Sequence, residues 1–304
     1  MTSADEDFAS AAMMRLVAMG LANQGISVPM AAPTGAHVRR GTKRDLLDRV
    51  LQDHGPKAIL AISDAVPQMP PEPVVLALRK AVSLADLLDR WARLETFSHG
   101  RHRVDTVQVS PDSFQLHHVA RDNGPPPSAV ESLLVFGLIA RLCEDLGAEP
   151  VTLKDEGGNF WRQDGVWSEH VLNQSVGRAT LSARFPDRLD GFSKTDHQDP
   201  NVLRQAIAED PLRRWTLKSL AQYAATSERT LQRRMASQST SFSRILFEAR
   251  LQIAADHLCA EDGPGLAEIG FLSGYADQAH FARSFKQGVG TTPKKYREAF
   301  QQKS

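Results

Sequence analysis

Only two cysteines, Cys143 and Cys259, occur in the 304 residues. So few exclude a disulfide framework and a four-thiolate zinc site, and they fit a reducing compartment. Long apolar runs are missing as well. The longest, Leu133 to Ala140, is far too short to cross a bilayer. The start, Met1 to Phe8, is acidic and has no basic stretch followed by an apolar one. No secretory signal is expected there, so the expected location is cytoplasmic, with no membrane as partner. No Ser/His/Asp or Cys/His arrangement is recognisable, and Gly157-Gly158 reads as a turn because no helix-opening Lys-Ser/Thr follows it. His117 and His118 are adjacent in a strand-like stretch and so point to opposite faces, a poor start for a shared metal ion. The expectation is therefore no enzyme, with no catalytic residue, no cofactor and no metal site.

A net charge is also lacking: 36 Lys and Arg balance 36 Asp and Glu. The balance is uneven along the chain. Residues 201–304 hold 15 basic against 10 acidic side chains, which leaves 21 against 26 for the rest. Between Arg213 and Phe247 there are seven basic residues and one acid, Glu228; between Arg283 and Arg297 there are five basic residues and no acid. A basic end on a neutral chain suits a polyanionic partner for that end, although a solvated charged face gives the same count.

What is present is a repeat. Ser227 aligns with Asp277, Leu231 with Phe281, Arg233 with Arg283 and Met235 with Phe285, each pair 50 residues apart. Upstream, Leu220 aligns with Ile269 and Ala221 with Gly270 at a distance of 49. Each copy reads as two short helices across a tight turn. Thr216 caps a helix over Leu217–Ala224, and Thr226-Ser227 caps the next, Glu228–Ser237. Helical phase puts Leu231 and Met235 inside and Glu228, Arg229, Gln232 and Arg233 outside. In the second copy Leu266–Ser273 is the scaffold helix, Gly274 the turn and Asp277 the cap of Gln278–Gly288. Phe281 and Phe285 face in, which leaves Gln278, Ala279, His280, Ala282, Arg283 and Lys286 outside. Arg and Gln side chains are long enough to bond base edges in a major groove. Between the copies, Ser241 to about Ala260 keeps helical spacing and predicts a stiff connector; Thr292-Pro293 opens a last helix. Asn201 to Ala208 reads as a lead helix.

The preceding residues are mixed helix and antiparallel strand. Helices are expected over Asp7–Gln24 (stripe Phe8, Ala12, Leu16, Met19, Ala22), from the cap Thr42 to His54, over Lys57–Val66, and on both sides of the cap Ser83 within Glu72–Thr96. Leu84, Leu87, Leu88, Trp91 and Leu94 form the buried face of the last. Strands are expected over Arg103–Val109, Ser113–Ala120, Glu149–Lys154, Gly165–His170 and Thr180–Phe185, with a buried helix over Ala129–Leu146. Cys143 then lies in the core as a small apolar side chain, and the four tryptophans are core or partly buried. The polar stretch Lys194–Asn201, with Pro200, reads as the boundary between two domains.

Ser227 to Met235 and Gly274 to Lys286 resemble the two recognition helices of the AraC/XylS family, and Gly290-Thr-Thr-Pro-Lys-Lys-Tyr-Arg resembles its closing signature. Departures are Gly270, where the family usually has Ala, and Ala236, where a large basic residue is common. Ala81 to Glu95, followed by two strands, resembles the "arabinose-binding" type of sensor domain found in one branch of that family, over roughly residues 75–195. The resemblance implies two domains. A mixed α+β effector-sensing and dimerisation domain spans 1–198, and an all-α DNA-binding domain, with two tandem helix–turn–helix motifs joined by a long helix, spans 199–304. The base-reading candidates are Arg229, Gln232 and Arg233, then Gln278, Ala279, His280 and Arg283, with Lys286 on the groove wall. The function implied is a sequence-specific transcriptional regulator under control of a small-molecule effector, bound between the Ser83–Glu95 helix and the strands after it. Its partners are double-stranded promoter DNA, a second copy in a homodimer, and RNA polymerase if it activates. Alternatives give the first domain only a pairing role, a protein partner or a hydrolytic activity. A methyl-accepting zinc site, found in a repair regulator with the same DNA-binding unit, needs more cysteines than this chain has.

Overall fold

The computed structural model describes residues 8–27, 40–70, 73–97, 101–122, 124–169, 171, 176–186, 199–260 and 263–301. The chain falls into two compact units, 1–187 and 188–304. The boundary expected within Lys194–Asn201 falls mostly on residues 187–198, which lie outside the described residues.

The first unit runs α1 (Phe8–Asn23), α2 (Arg40–Ala61), a 3-10 turn (Ile62–Gln68), α3 (Pro73–Leu78), α4 (Leu84–Phe97), β1 (His102–Ser110), β2 (Ser113–Ala120), α5 (Ala129–Asp145), β3 (Val151–Lys154), β4 (Phe160–Gln163), β5 (Val166–Trp167) and β6 (Arg178–Ala183). The strands form one sheet in the order β1-β2-β6-β3-β4-β5, antiparallel at every pairing. Strand alternation sends Phe114, Leu116, Leu153, Ala179 and Leu181 to the buried face, while Gln115 and Thr180 pair on the other. Over the buried face lies α5, whose Val130, Leu133, Phe136, Ile139 and Cys143 are all fully enclosed. Burial pushes the Cys143 thiol well above its ordinary range, which suits an inert core residue.

Several expectations hold closely. Ser83 Oγ accepts the Asp86 N–H at 3.1 Å and opens α4, whose Leu84, Leu87, Leu88, Trp91 and Leu94 are all buried. The hairpin of β1 and β2 turns at Pro111-Asp112. All four tryptophans are buried.

Others need correction. Thr42 lies inside α2, which starts at Arg40, so it is not the cap. That helix and the one expected to follow are continuous apart from a break at Gly55. In α1 the side chains of Phe8 and Ala12 lie outside the described residues; of the described ones Met14, Leu16, Val17, Gly20 and Leu21 are buried, with Met19 half-buried and Ala22 exposed. Nearly every position there is apolar, so the pattern carries no phase. The strand expected over Arg103–Val109 is present as β1, at the edge of the sheet, with Val104 its one buried residue. Gly165–His170 yields only the two residues of β5, and the strand after the glycine turn is Phe160–Gln163. Arg162 hides that strand in the sequence, since it is buried although charged. Its guanidinium reaches both Glu144 oxygens, at 2.5 and 2.7 Å, and stacks 4.1 Å from the Trp167 ring centre. Asp164-Gly165 is a readable signal for this hairpin: both residues hold positive φ, 49° and 74°, as a tight two-residue turn requires.

The second unit is helical: α6 (Pro200–Glu209), α7 (Leu217–Tyr223), α8 (Glu228–Ser237), α9 (Phe242–Cys259), α10 (Leu266–Leu272), α11 (Gln278–Val289) and α12 (Pro293–Gln301). Leu203, Ala206 and Ile207 of α6 share one core with Leu220, Ala221, Leu231, Met235, Ile245 and Ala249.

Candidate nucleic-acid interface

The starts of α7, α8 and α11 are built from two hydroxyls and one carboxylate. Thr216 Oγ1 accepts the Ser219 N–H at 3.0 Å, and the Thr216 N–H donates to Ser219 Oγ at 2.8 Å. Ser227 Oγ accepts the Thr230 N–H at 3.2 Å and opens α8. Asp277 Oδ1 accepts the His280 N–H at 2.6 Å and opens α11. Each bond satisfies a donor that the helix itself leaves free.

The faces follow. Leu231 and Met235 are buried, so Glu228, Arg229, Gln232 and Arg233 are exposed together on the outside of α8. On α11, Phe281 and Phe285 are buried, and Ala279, Ala282, Arg283 and Lys286 are exposed. Gln278 and His280 are half-buried. The His280 ring meets Tyr275 edge-on at 5.4 Å, so this histidine is partly anchored in its own turn. An aromatic ladder runs Tyr275–Phe281–Phe285–Tyr296, with centroids 5.2, 5.9 and 5.3 Å apart. Burial pushes the Tyr275 hydroxyl up to about 12, with the Arg250 charge opposing the rise. Tyr275 therefore stays neutral at any physiological pH.

The repeat continues past each outward-facing helix. Ser239 (φ 56°) and Gly290 (φ 85°), 51 residues apart, each hold a left-handed conformation after one of the two outward-facing helices. Ser241 and Thr292 then cap α9 and α12, accepting the N–H groups of Arg244 and Lys295 at 3.3 and 3.4 Å. The dipeptides Thr240-Ser241 and Thr291-Thr292 are the signal that marks this in the sequence. Also unforeseen is the Arg204–Glu248–Arg244 cluster, in which Glu248 ties α6 to α9. The two guanidiniums hold its carboxyl below the usual range.

A family model described as a helix-turn-helix domain matches residues 220–299, from within α7 into α12. This stretch is an AraC-type helix–turn–helix domain. The AraC-type domain is 33% identical over 94 residues to the HTH-type transcriptional activator CsvR of Escherichia coli, a match covering 31% of this chain and 35% of that protein. The DNA-binding dual transcriptional regulator Rns of Escherichia coli matches with the same identity and coverage. An ornithine utilization regulator of Pseudomonas aeruginosa is 35% identical over 83 residues, 27% of this chain and 24% of the relative. The chain thus matches about a third or less of the length of these curated relatives. Among solved structures, the transcriptional regulator CdpR from Pseudomonas aeruginosa aligns over 94% of this chain and 98% of its own, at 17% identity and a TM-score of 0.39, too low to carry weight.

Proposed function

We propose that the chain is a sequence-specific DNA-binding transcriptional regulator that reads promoter DNA with two tandem helix–turn–helix motifs. The observation that carries this reading is the pair of outward faces. Arg229, Gln232 and Arg233 are exposed on α8, and Ala279, Arg283 and Lys286 are exposed on α11 with Gln278 and His280 half-buried beside them, while Leu231, Met235, Phe281 and Phe285 are buried. Arg and Gln bond base edges bidentately, and Lys286 suits a phosphate. Between the motifs, the 18 residues of α9 span about 27 Å at ~1.5 Å per residue. That approaches the roughly 34 Å between major-groove faces one DNA turn apart. One copy then contacts two adjacent grooves at a non-palindromic site. The matched relatives, a transcriptional activator and a DNA-binding dual transcriptional regulator, support the same reading.

The first unit, in this proposal, senses a small effector between α4 and the strands after it and holds two copies together. Its support is the likeness of Ala81–Glu95 to a sensor-domain type. A second reading gives that unit only the pairing role. Val107 and Val109, 51% and 60% exposed on edge strand β1, favour it.

The test is binding of the full chain to its own upstream DNA across a salt series. The expected result is sequence-selective binding whose log K falls with log salt at about −0.9 per neutralised phosphate. Binding that ignores sequence, or that ignores salt, overturns the proposal.

A further inference from the structure

The matched helix–turn–helix residues begin at 220, yet the second unit contains an ordered segment before them. Three of its residues, Leu203, Ala206 and Ile207, lie in the core of the first motif, and Arg204 donates to Glu248 on α9 at 2.8 Å. After α6 the chain makes two tight turns, with Arg213 N–H donating to Asp210 O at 3.2 Å and Trp215 N–H to Arg213 O at 2.7 Å. Trp215 joins the same core and donates its indole N–H to Asp210 O at 2.8 Å. Leu212, between them, is 1% exposed. Residues 210–215 are thus fixed to the first motif at both ends.

The middle of this segment touches the second motif. A Cβ at Gly274 would lie 2.1 Å from the Pro211 carbonyl oxygen and 2.9 Å from its carbon. Gly274 is the turn between α10 and α11 and holds φ +75°. Backbone rests on backbone there, so no side-chain rotation relieves the contact. Beside it Tyr275 is 2% exposed, with the Arg250 guanidinium 5.9 Å from its ring centre. At its other end α11 rests on α9, where a Cβ at Gly288 would meet Leu251 and Phe247 side chains at 2.6 and 2.9 Å. The connector therefore holds the C-terminal end of α11. The Pro211 backbone holds its N-terminal end, where Gln278 and Ala279 sit and where a recognition helix meets base edges.

We propose that residues 210–215 are a positioning strut that sets the angle of α11 against α8, and with it the spacing between the two DNA half-sites. The inference rests on the two-motif reading above and adds a determinant outside the matched domain. Gly274→Ala pushes the turn off Pro211, and Leu212→Ala loosens the strut while leaving the turn unchanged. Gly290→Ala is the control, since Gly290 has a similar φ of +85° but nothing within 4 Å of an added Cβ. It carries the left-handed strain without the collision.

The experiment uses the full chain. Wild type first selects its site from randomised duplex DNA. The two selected halves are then offered at the preferred spacing and at spacings up to about two base pairs shorter or longer. The expected result is one sharp spacing for wild type and for Gly290→Ala. Gly274→Ala and Leu212→Ala each shift the optimum, or bring neighbouring spacings within about threefold of it where wild type discriminates by about tenfold or more. A destabilised but correctly oriented domain loses affinity at every spacing alike, so spacing preference separates positioning from stability. If Gly274→Ala does not fold, Leu212→Ala decides alone. Wild-type sharpness at the wild-type spacing in the folded variants overturns the strut. A wild type that selects only one half-site, or none, overturns the two-motif reading and the strut with it.

Discussion

Glu95 and His118 sit within one region of the first unit and are perturbed in opposite directions. Burial raises the Glu95 carboxyl to about 7, against the pull of the Val104 N–H, the Trp91 indole N–H and the Arg121 charge. Asp105 nearby adds to the rise. Burial lowers His118 to about 4, helped by His102, whose ring is 5.5 Å away, and opposed by Glu131. A carboxyl raised on folding stabilises fully below its ordinary 4.5 and loses that contribution as pH climbs through about 7. A histidine lowered on folding contributes fully above its ordinary 6.5 and loses that as pH falls through about 4. The two slopes oppose each other over most of the same window. Relative to wild type, Glu95→Gln should therefore gain stability as pH rises through the window, and His118→Gln should lose it. Denaturation midpoints across a pH series check this; parallel curves for all three proteins would show that neither group titrates on folding. For the DNA face, Arg233→Ala should relax base preference in one half of the site and Arg283→Ala in the other, each costing about 1–3 kcal/mol. Arg234 lies off the α8 reading face, so Arg234→Ala should weaken binding evenly or leave it unchanged. Binding selections on randomised DNA decide, and loss at the same base pairs from both reading-face variants contradicts the two-groove arrangement.

At the scale of elements, α8 and α11 share a design but start differently. Ser227 opens α8 through a neutral hydroxyl at 3.2 Å, and Asp277 opens α11 through a charged carboxylate at 2.6 Å. A carboxylate also meets the positive end of the helix dipole, a further ~0.3–1 kcal/mol at a surface site. Both caps replaced by Ala should destabilise the second unit by about 0.5–2 kcal/mol, with Asp277→Ala the larger loss. Urea unfolding of each variant measures it, and an equal or reversed order argues that the shorter bond gives α11 no extra stability. These caps were legible because a cap needs only local chemistry. The same holds for Ser83 at α4 and for the inward stripe of that helix. The edge position of β1 was not legible, since its alternation, valines included, reads alike for a half-buried strand and an exposed one. His280 was only partly so: helical phase put it outside, and Tyr275 in the preceding turn draws its ring half inside.

At the scale of the whole molecule, the charge split and the compactness of the second unit point the same way. Its own core, the α6 anchor and 15 basic against 10 acidic residues over 201–304 lie within one stretch of chain. Residues 201–304 expressed alone should bind the DNA that the full chain selects, with a similar salt slope. Fluorescence anisotropy on both proteins checks it. A fragment that folds by circular dichroism but binds no DNA would show that the first unit supplies part of the interface.

The sequence by itself determined the helix–turn–helix pattern, its caps, its buried stripes and the outward basic faces. Each depends on residues within one or two helical turns, and a repeat at 50 residues states them twice. It also determined the mixed character of the first unit, through periods of two and of 3.6. Only the tertiary structure decided that Arg162 can be buried, because Glu144 and Trp167 come from other elements to hold it. The same is true of Pro211 against Gly274, 63 residues apart in the chain, where two stretches of backbone meet without any side-chain pattern to announce it. Contacts of that kind depend on where helices cross, and crossing is set by the whole core rather than by any local run of residues.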